Sequence, residues 1–190
     1  QLREFKAAGK LVLGICNGFQ ILIQTGILLE DDIPAELMNG ETGPAATLTF
    51  NDSGKFEDRW IYLRNTGSAC VFFRGIERMY LPVAHGEGKF VPRNERILAT
   101  LESRGQLALR YAMPEPSNGT DNASLAFPHN PNGSIANVAG VWDSPGRICG
   151  LMPHPGRHIE RTHHPRWTRG EASPIGDGLQ VFVNAVEYFA

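Results

Sequence analysis

Two residues sit in settings suited to covalent chemistry, Cys16 and His154. Leu11 to Ile15 is an apolar strand run that stops at Cys16, which lies between Gly14 and Gly18. From Asn17 onward the apolar spacing turns helical, through Phe19, Ile21, Leu22 and Ile23 towards Gly26. A strand that turns sharply into a helix at a cysteine is an elbow that lifts the side chain to the positive end of the helix. A thiol there is expected to ionise more readily than a free one, and the thiolate is the attacking form. The alternative is a buried structural cysteine, a common fate for this residue type.

A thiol nucleophile needs a group to carry protons to and from the leaving atom, and histidine suits that work near neutral pH. His154 follows the strand run Ile148 to Met152, with Pro153 and Pro155 fixing the backbone on either side. The end of a strand is where a sheet-based enzyme displays such groups. The alternative is a loop histidine without a role. His158, His163 and His164, with Glu160, invite a metal reading, but no helical pattern holds them on one face. Arg157, Arg161, Arg166 and Arg169 around them repel a cation, so no metal site is expected. The basic stretch, with Trp167 inside it, reads as a solvated loop or a docking surface. Gly-Glu-Gly-Lys at 86–89 lacks the spacing of a phosphate-binding loop.

These residues have to be positioned by an α/β framework. The chain has 190 residues, 42% hydrophobic and 20% charged, with a net charge of −2. That suits one globular domain over 1–190 and gives no reason to expect nucleic acid or a membrane surface as partner. No apolar run reaches the length of a membrane-spanning helix. Cys16, Cys70 and Cys149 have neither zinc-ligand spacing nor the look of a disulfide framework, so a reducing cytoplasm is expected. Strands are expected at 47–50, 60–65, 79–84, 107–111, 137–142 and 147–152, with Asn51-Asp52-Ser53-Gly54 and Ser144-Pro145-Gly146 as turns. A short helix is expected at 94–103, long irregular stretches at 113–135 and 153–175, and a closing helix burying Leu179, Phe182, Val183, Val186 and Phe189. The chain opens on Gln1, and residues 2–8 read as the end of a helix running straight into the Cys16 strand. Such a strand normally lies mid-sheet, so N-terminal strands are expected to be missing from a doubly wound, mixed or parallel sheet flanked by helices.

Four segments in order carry a resemblance: Gly-Ile-Cys-Asn-Gly-Phe-Gln (14–20), Ala-His-Gly-Glu-Gly-Lys-Phe (84–90), Asn-Pro-Asn-Gly-Ser (130–134) and Gly-Leu-Met-Pro-His-Pro (150–155). Together the chain resembles the class I glutamine amidotransferases, in the branch that supplies phosphoribosylformylglycinamidine synthase in purine biosynthesis. The resemblance implies that glutamine is the substrate and Cys16 the nucleophile. It also implies that His154 is the proton carrier, that the Asn17 N–H helps hold the oxyanion, and that Gly18 belongs to the substrate-binding set. Gln20, His85 and Glu87 are then candidates for contact with glutamine. It implies no cofactor in this chain. ATP and Mg would belong to a large ATP-dependent synthetase that receives the ammonia, with a small accessory subunit beside it. Another acceptor for the ammonia is the competing expectation. One departure stands out. The family places a glutamate two residues after the histidine, and here that position is Gly156. A slower Cys–His dyad, replacement by Glu160, and a silenced structural subunit all remain open.

Overall fold

Sheet pairing explains why the Cys16 strand and the His154 strand end side by side. The structure, a computed structural model, describes residues 1–40, 42–107, 109–115 and 124–190. In chain order its helices and strands are α1 (Leu2–Ala7), β1 (Val12–Ile15), α2 (Asn17–Gln24), β2 (Ala46–Thr49), β3 (Glu57–Asn65) and β4 (Arg78–His85). There follow β5 (Lys89–Pro92), α3 (Glu95–Ser103), β6 (Leu109–Ala112), β7 (Val138–Trp142), β8 (Ile148–Leu151) and α4 (Leu179–Glu187). Six strands form one mixed sheet in the order β1-β8-β7-β6-β3-β4, and β2 and β5 form a separate antiparallel pair. Only β1 and β8 run parallel, with Ile15 opposite Leu151; the other neighbours are antiparallel.

β1 therefore lies at a margin of the described sheet rather than in its middle. Its residues are mostly half-buried, whereas every residue of β7 and β8 is buried. The central strands read as continuous apolar runs because both faces are covered. On one face α2, α3 and the β2–β5 pair pack around Phe19, Leu22, Phe90 and Ile97. On the other, α4 and the turn Val71–Phe73 close over Leu63, Leu81, Tyr111 and Trp142. Cys70 and Cys149, far apart in sequence, meet thiol to thiol in this second core.

Several sequence expectations need adjustment. Strand 47–50 forms as β2 but pairs with β5, a strand the sequence pattern did not single out. The turn at 51–54 thus joins two different sheets instead of closing a hairpin. In α4 the buried positions are Val181 and Asn184, while Val186 and Phe189, expected inside, are exposed. Asn184 decides the face. Its Nδ2 donates to the Phe72 and Arg74 carbonyls, 2.9 Å each, capping the Val71–Phe73 turn. Within the expected irregular stretch 113–135, residues 116–123 lie outside the described residues. No helix among those described is long and apolar enough to cross a membrane.

Candidate active site

The elbow forms because two facing glycines let α2 settle on the strands. Gly14 and Gly150 are register partners. A Cβ on Gly14 would lie 2.7 Å from the Gly18 carbonyl oxygen, and one on Gly150 would lie 2.0 Å from the Phe19 ring. Both strands must lack side chains there for α2 to approach. Cys16 takes the whole turn in its own backbone, at φ 54° and ψ −110°. A non-glycine residue held in that region is strained, and such strain concentrates at functional positions. The Cys16 N–H donates to the Leu151 carbonyl at 2.8 Å, extending the β1–β8 pairing by one step.

The other margin of the sheet is β4, and it supplies the second wall. Residues Tyr80, Pro82 and Ala84 turn their main-chain groups outward from β3. Pro82 has no N–H to leave unpaired, which suits an edge position. The Tyr80 carbonyl accepts from His158 Nδ1 at 2.8 Å, and the Pro82 carbonyl accepts from the His154 N–H at 2.9 Å. The Ala84 carbonyl lies 3.7 Å from Cys16 Sγ. Cys16 and His154 are thus docked on successive outward carbonyls, spaced about 7 Å along an extended strand. The strand ends agree: β1 and β8 are adjacent and parallel, so both residues emerge on the same rim. The sheet curls until its two margins meet, with the Cys16 thiol and the His154 main chain at the seam.

Protonation at the seam follows from burial. Desolvation pushes the half-buried Cys16 thiol up, with the Asn17 N–H pulling the other way. This reverses the expectation of a thiol that ionises more readily than a free one, because one helix N–H does not offset the lost water. Burial lowers His154, with Arg157 adding to the fall and Asp58 opposing it. The pair therefore rests as neutral thiol and neutral imidazole. His154 Nε2 is buried without a hydrogen-bond partner.

His85 ends β4, almost fully buried, and its tautomer is fixed by its neighbour. Asn51 Nδ2 donates to the Lys55 and His85 carbonyls, 2.8 Å each. Asn51 Oδ1 must then accept, and it faces His85 Nδ1 at 3.0 Å and the Gly88 N–H at 3.2 Å. His85 Nδ1 carries the hydrogen, and Nε2 is left as a buried acceptor without a partner. Burial, reinforced by His154, lowers the His85 pKa to about 4. Gly88 is obligatory because a Cβ there would lie 2.4 Å from the His85 ring.

The remaining sequence candidates divide clearly. Gln20 Nε2 donates to the Glu87 carbonyl at 2.8 Å, joining the elbow helix to the 85–88 segment. Asn17 and Glu87 are exposed, and Gly18 has open space around it. The Asn-Pro-Asn-Gly-Ser loop is a buttress: Asn132 Nδ2 donates to the Gly88 carbonyl at 2.8 Å and the Tyr111 hydroxyl at 2.9 Å. Ser134 Oγ accepts the Phe90 N–H at 2.9 Å. Glu160 is exposed and held in an isolated antiparallel bridge with Ile175. Sequence reasoning missed Asp58 and Pro82, whose roles arise only from cross-strand register, and Asn51 and Tyr111, whose roles are side-chain hydrogen bonds to distant segments. Among the described residues no group of three or more His, Cys, Asp or Glu side chains is placed to hold a metal.

The family model of the CobB/CobQ-like glutamine amidotransferase domain matches residues 1–189. The chain is 43% identical to the phosphoribosylformylglycinamidine synthase subunit PurQ of Dehalococcoides mccartyi, over 99% of this chain and 67% of that protein. It is 36% identical to a Methanococcus maripaludis PurQ, over 99% of this chain and 69% of the relative. Among solved structures it is similar to PurLQS from Thermotoga maritima, with a TM-score of 0.66 and 28% identity, covering 100% of this chain and 66% of that one. The chain spans about two thirds of the length of these relatives.

Proposed function

The chain belongs to the CobB/CobQ-like glutamine amidotransferase family, and from that premise we propose that it hydrolyses glutamine and delivers ammonia to phosphoribosylformylglycinamidine synthesis. The observation that carries this reading is the docking of Cys16 and His154 on neighbouring edge carbonyls of β4.

The neutral resting pair sets the order of events. Glutamine enters the seam with its carboxamide carbon at Cys16 Sγ. His154 takes the thiol proton as sulfur attacks, so charge develops only when the substrate is present. The tetrahedral oxyanion is met by main-chain N–H groups at the start of α2, among them that of Asn17. The C–N bond breaks as His154 returns the proton to the leaving nitrogen, giving ammonia and a γ-glutamyl thioester on Cys16. Water, deprotonated by His154, then cleaves the thioester to glutamate and restores the thiol. Gln20, His85 and Glu87 line the approach as the glutamine-contacting set. His85 presents an acceptor that suits an N–H of the carboxamide. A carboxylate has no such donor, so the pocket favours glutamine over its product.

Ammonia in bulk water becomes ammonium and loses its lone pair. A large ATP-dependent synthetase, with a small accessory subunit, is therefore the assigned receiver. ATP and Mg belong to that partner, and no cofactor is assigned to this chain. The site of action assigned to the pair is the cytoplasm. The experiment uses the intact protein with its synthetase. Cys16→Ala should abolish glutamine-dependent product formation and leave synthesis from ammonium salts intact. Glutamine-dependent synthesis persisting in Cys16→Ala would overturn the reading.

A further inference from the structure

Gly156 leaves the imidazole without the carboxylate that the family places two residues downstream, and the fold offers another. Asp58 lies on β3 directly opposite Ala84, the residue whose carbonyl meets Cys16 Sγ. Side chains opposite each other on paired antiparallel strands share one face. His154 is docked one step along the same edge, on the Pro82 carbonyl. Its turn continues to Arg157, whose Nη1 reaches Asp58 Oδ1 at 3.9 Å. That contact is long and exposed on both sides, and exposed pairs of this kind contribute little. Asp58 is therefore available to another donor. The ring atom of His154 that is buried and unpartnered is Nε2, which leaves Nδ1 as the atom to be met from the more open side. Glu160 is engaged by its backbone in the bridge to Ile175.

We propose that Asp58 is the positioning carboxylate of His154, accepting the Nδ1–H and keeping Nε2 as the base towards Cys16. The proposal rests on the glutaminase reading above and adds a residue to it. It replaces a local, in-sequence acid by one supplied across a strand pair. The field at the imidazole agrees, because Asp58 is the acidic side chain that raises His154 against burial and Arg157. The charges felt at His154 are those of Arg157 from its own turn and Asp58 from β3, and His154 in turn lowers His85 at the end of β4. The Cys16 thiol stands one carbonyl further along that edge.

The test pairs a titration with kinetics in the intact protein. His154 is followed by NMR through its imidazole resonances in the parent, Asp58→Asn, Asp58→Glu and Arg157→Gln. Asp58→Asn should lower its pKa and Arg157→Gln should raise it. In glutamine hydrolysis Asp58→Asn should reduce kcat about tenfold with KM within about twofold, since the residue acts through the base. Asp58→Glu should recover most of the rate. Gly156→Glu has room, its Cβ position lying 3.7 Å from Phe182 as the nearest neighbour. It should change the parent little but rescue Asp58→Asn. An unmoved His154 titration, or an Asp58→Asn kcat within twofold of the parent, overturns the proposal. A protein that shows the titration shifts but never hydrolyses glutamine sustains the Asp58–His154 pairing and overturns the glutaminase reading instead.

Discussion

At the scale of single residues, the site is controlled by which atoms hold hydrogens. The Asn51 side chain donates both its N–H groups to main-chain carbonyls and so must accept from His85. One buried asparagine at the start of the 51–54 turn thereby sets the tautomer of the buried imidazole at the end of β4. The depressed His85 pKa has a consequence for stability, with a definite sign. Below the ordinary value of 6.5 the unfolded chain binds a proton that the folded site, at about 4, refuses. Stability from the neutral His85 is thus fully present above pH 6.5 and lost as pH falls towards 4. The loss is on the order of 3 kcal/mol. Urea unfolding at pH 7 and pH 4.5 should show this fall in the parent and a smaller one in His85→Gln. Equal falls would place the acid sensitivity elsewhere. Catalysis should follow the same logic: because burial lowers His154, the acid limb of glutamine hydrolysis should lie below 6.5. A limb above that value would indicate a charged imidazole at rest.

At the scale of elements, the sequence made β1, α2, α3 and β8 readable to within a residue or two, because apolar period and flanking glycines agree there. The ends of the strands were less defined, and the partnership of β2 with β5 was hidden, since period alone does not choose a partner. The face of α4 was misread for a specific reason. Apolar spacing favoured Val186 and Phe189, but Asn184 is pulled inward by the carbonyls of the Val71–Phe73 turn. Leaving those two carbonyls without a donor should cost about 1–3 kcal/mol, so Asn184→Leu is expected to destabilise despite added apolar area. Thermal or urea unfolding measures this, and a stabilised variant would contradict the assignment. The elbow has its own element-scale prediction. Gly150→Ala places a methyl 2.0 Å from Phe19, so it should push α2 off the strands. The expected cost is about 1–3 kcal/mol in stability, with a larger proportional loss of glutamine hydrolysis. Activity lost no further than the unfolded fraction explains would show that the elbow tolerates the shift.

At the scale of the whole molecule, the four motif segments were visible in the sequence as types and order, but not as a place. What brings them together is the curl of one sheet, from β1 round to β4, so that its two margins face each other across the Cys16 thiol and the His154 main chain. Nothing in hydrophobic period announces that closure. Asp58 and Pro82 were silent for the same reason, being ordinary strand residues until β3 and β4 meet the rim. The Gly156 departure, by contrast, was fully visible, and only the fold suggested what answers it.

The sulfur of Cys16 is the atom on which the account turns, so the decisive measurement is the state of that atom during turnover. Intact protein mixed with glutamine, quenched in acid within the first turnovers and digested for mass spectrometry should carry one glutamyl group on the peptide containing Cys16. The adduct should vanish in Cys16→Ala and form far more slowly in His154→Ala. Ammonia released at the parent rate with no acylated Cys16 at any time would contradict the account.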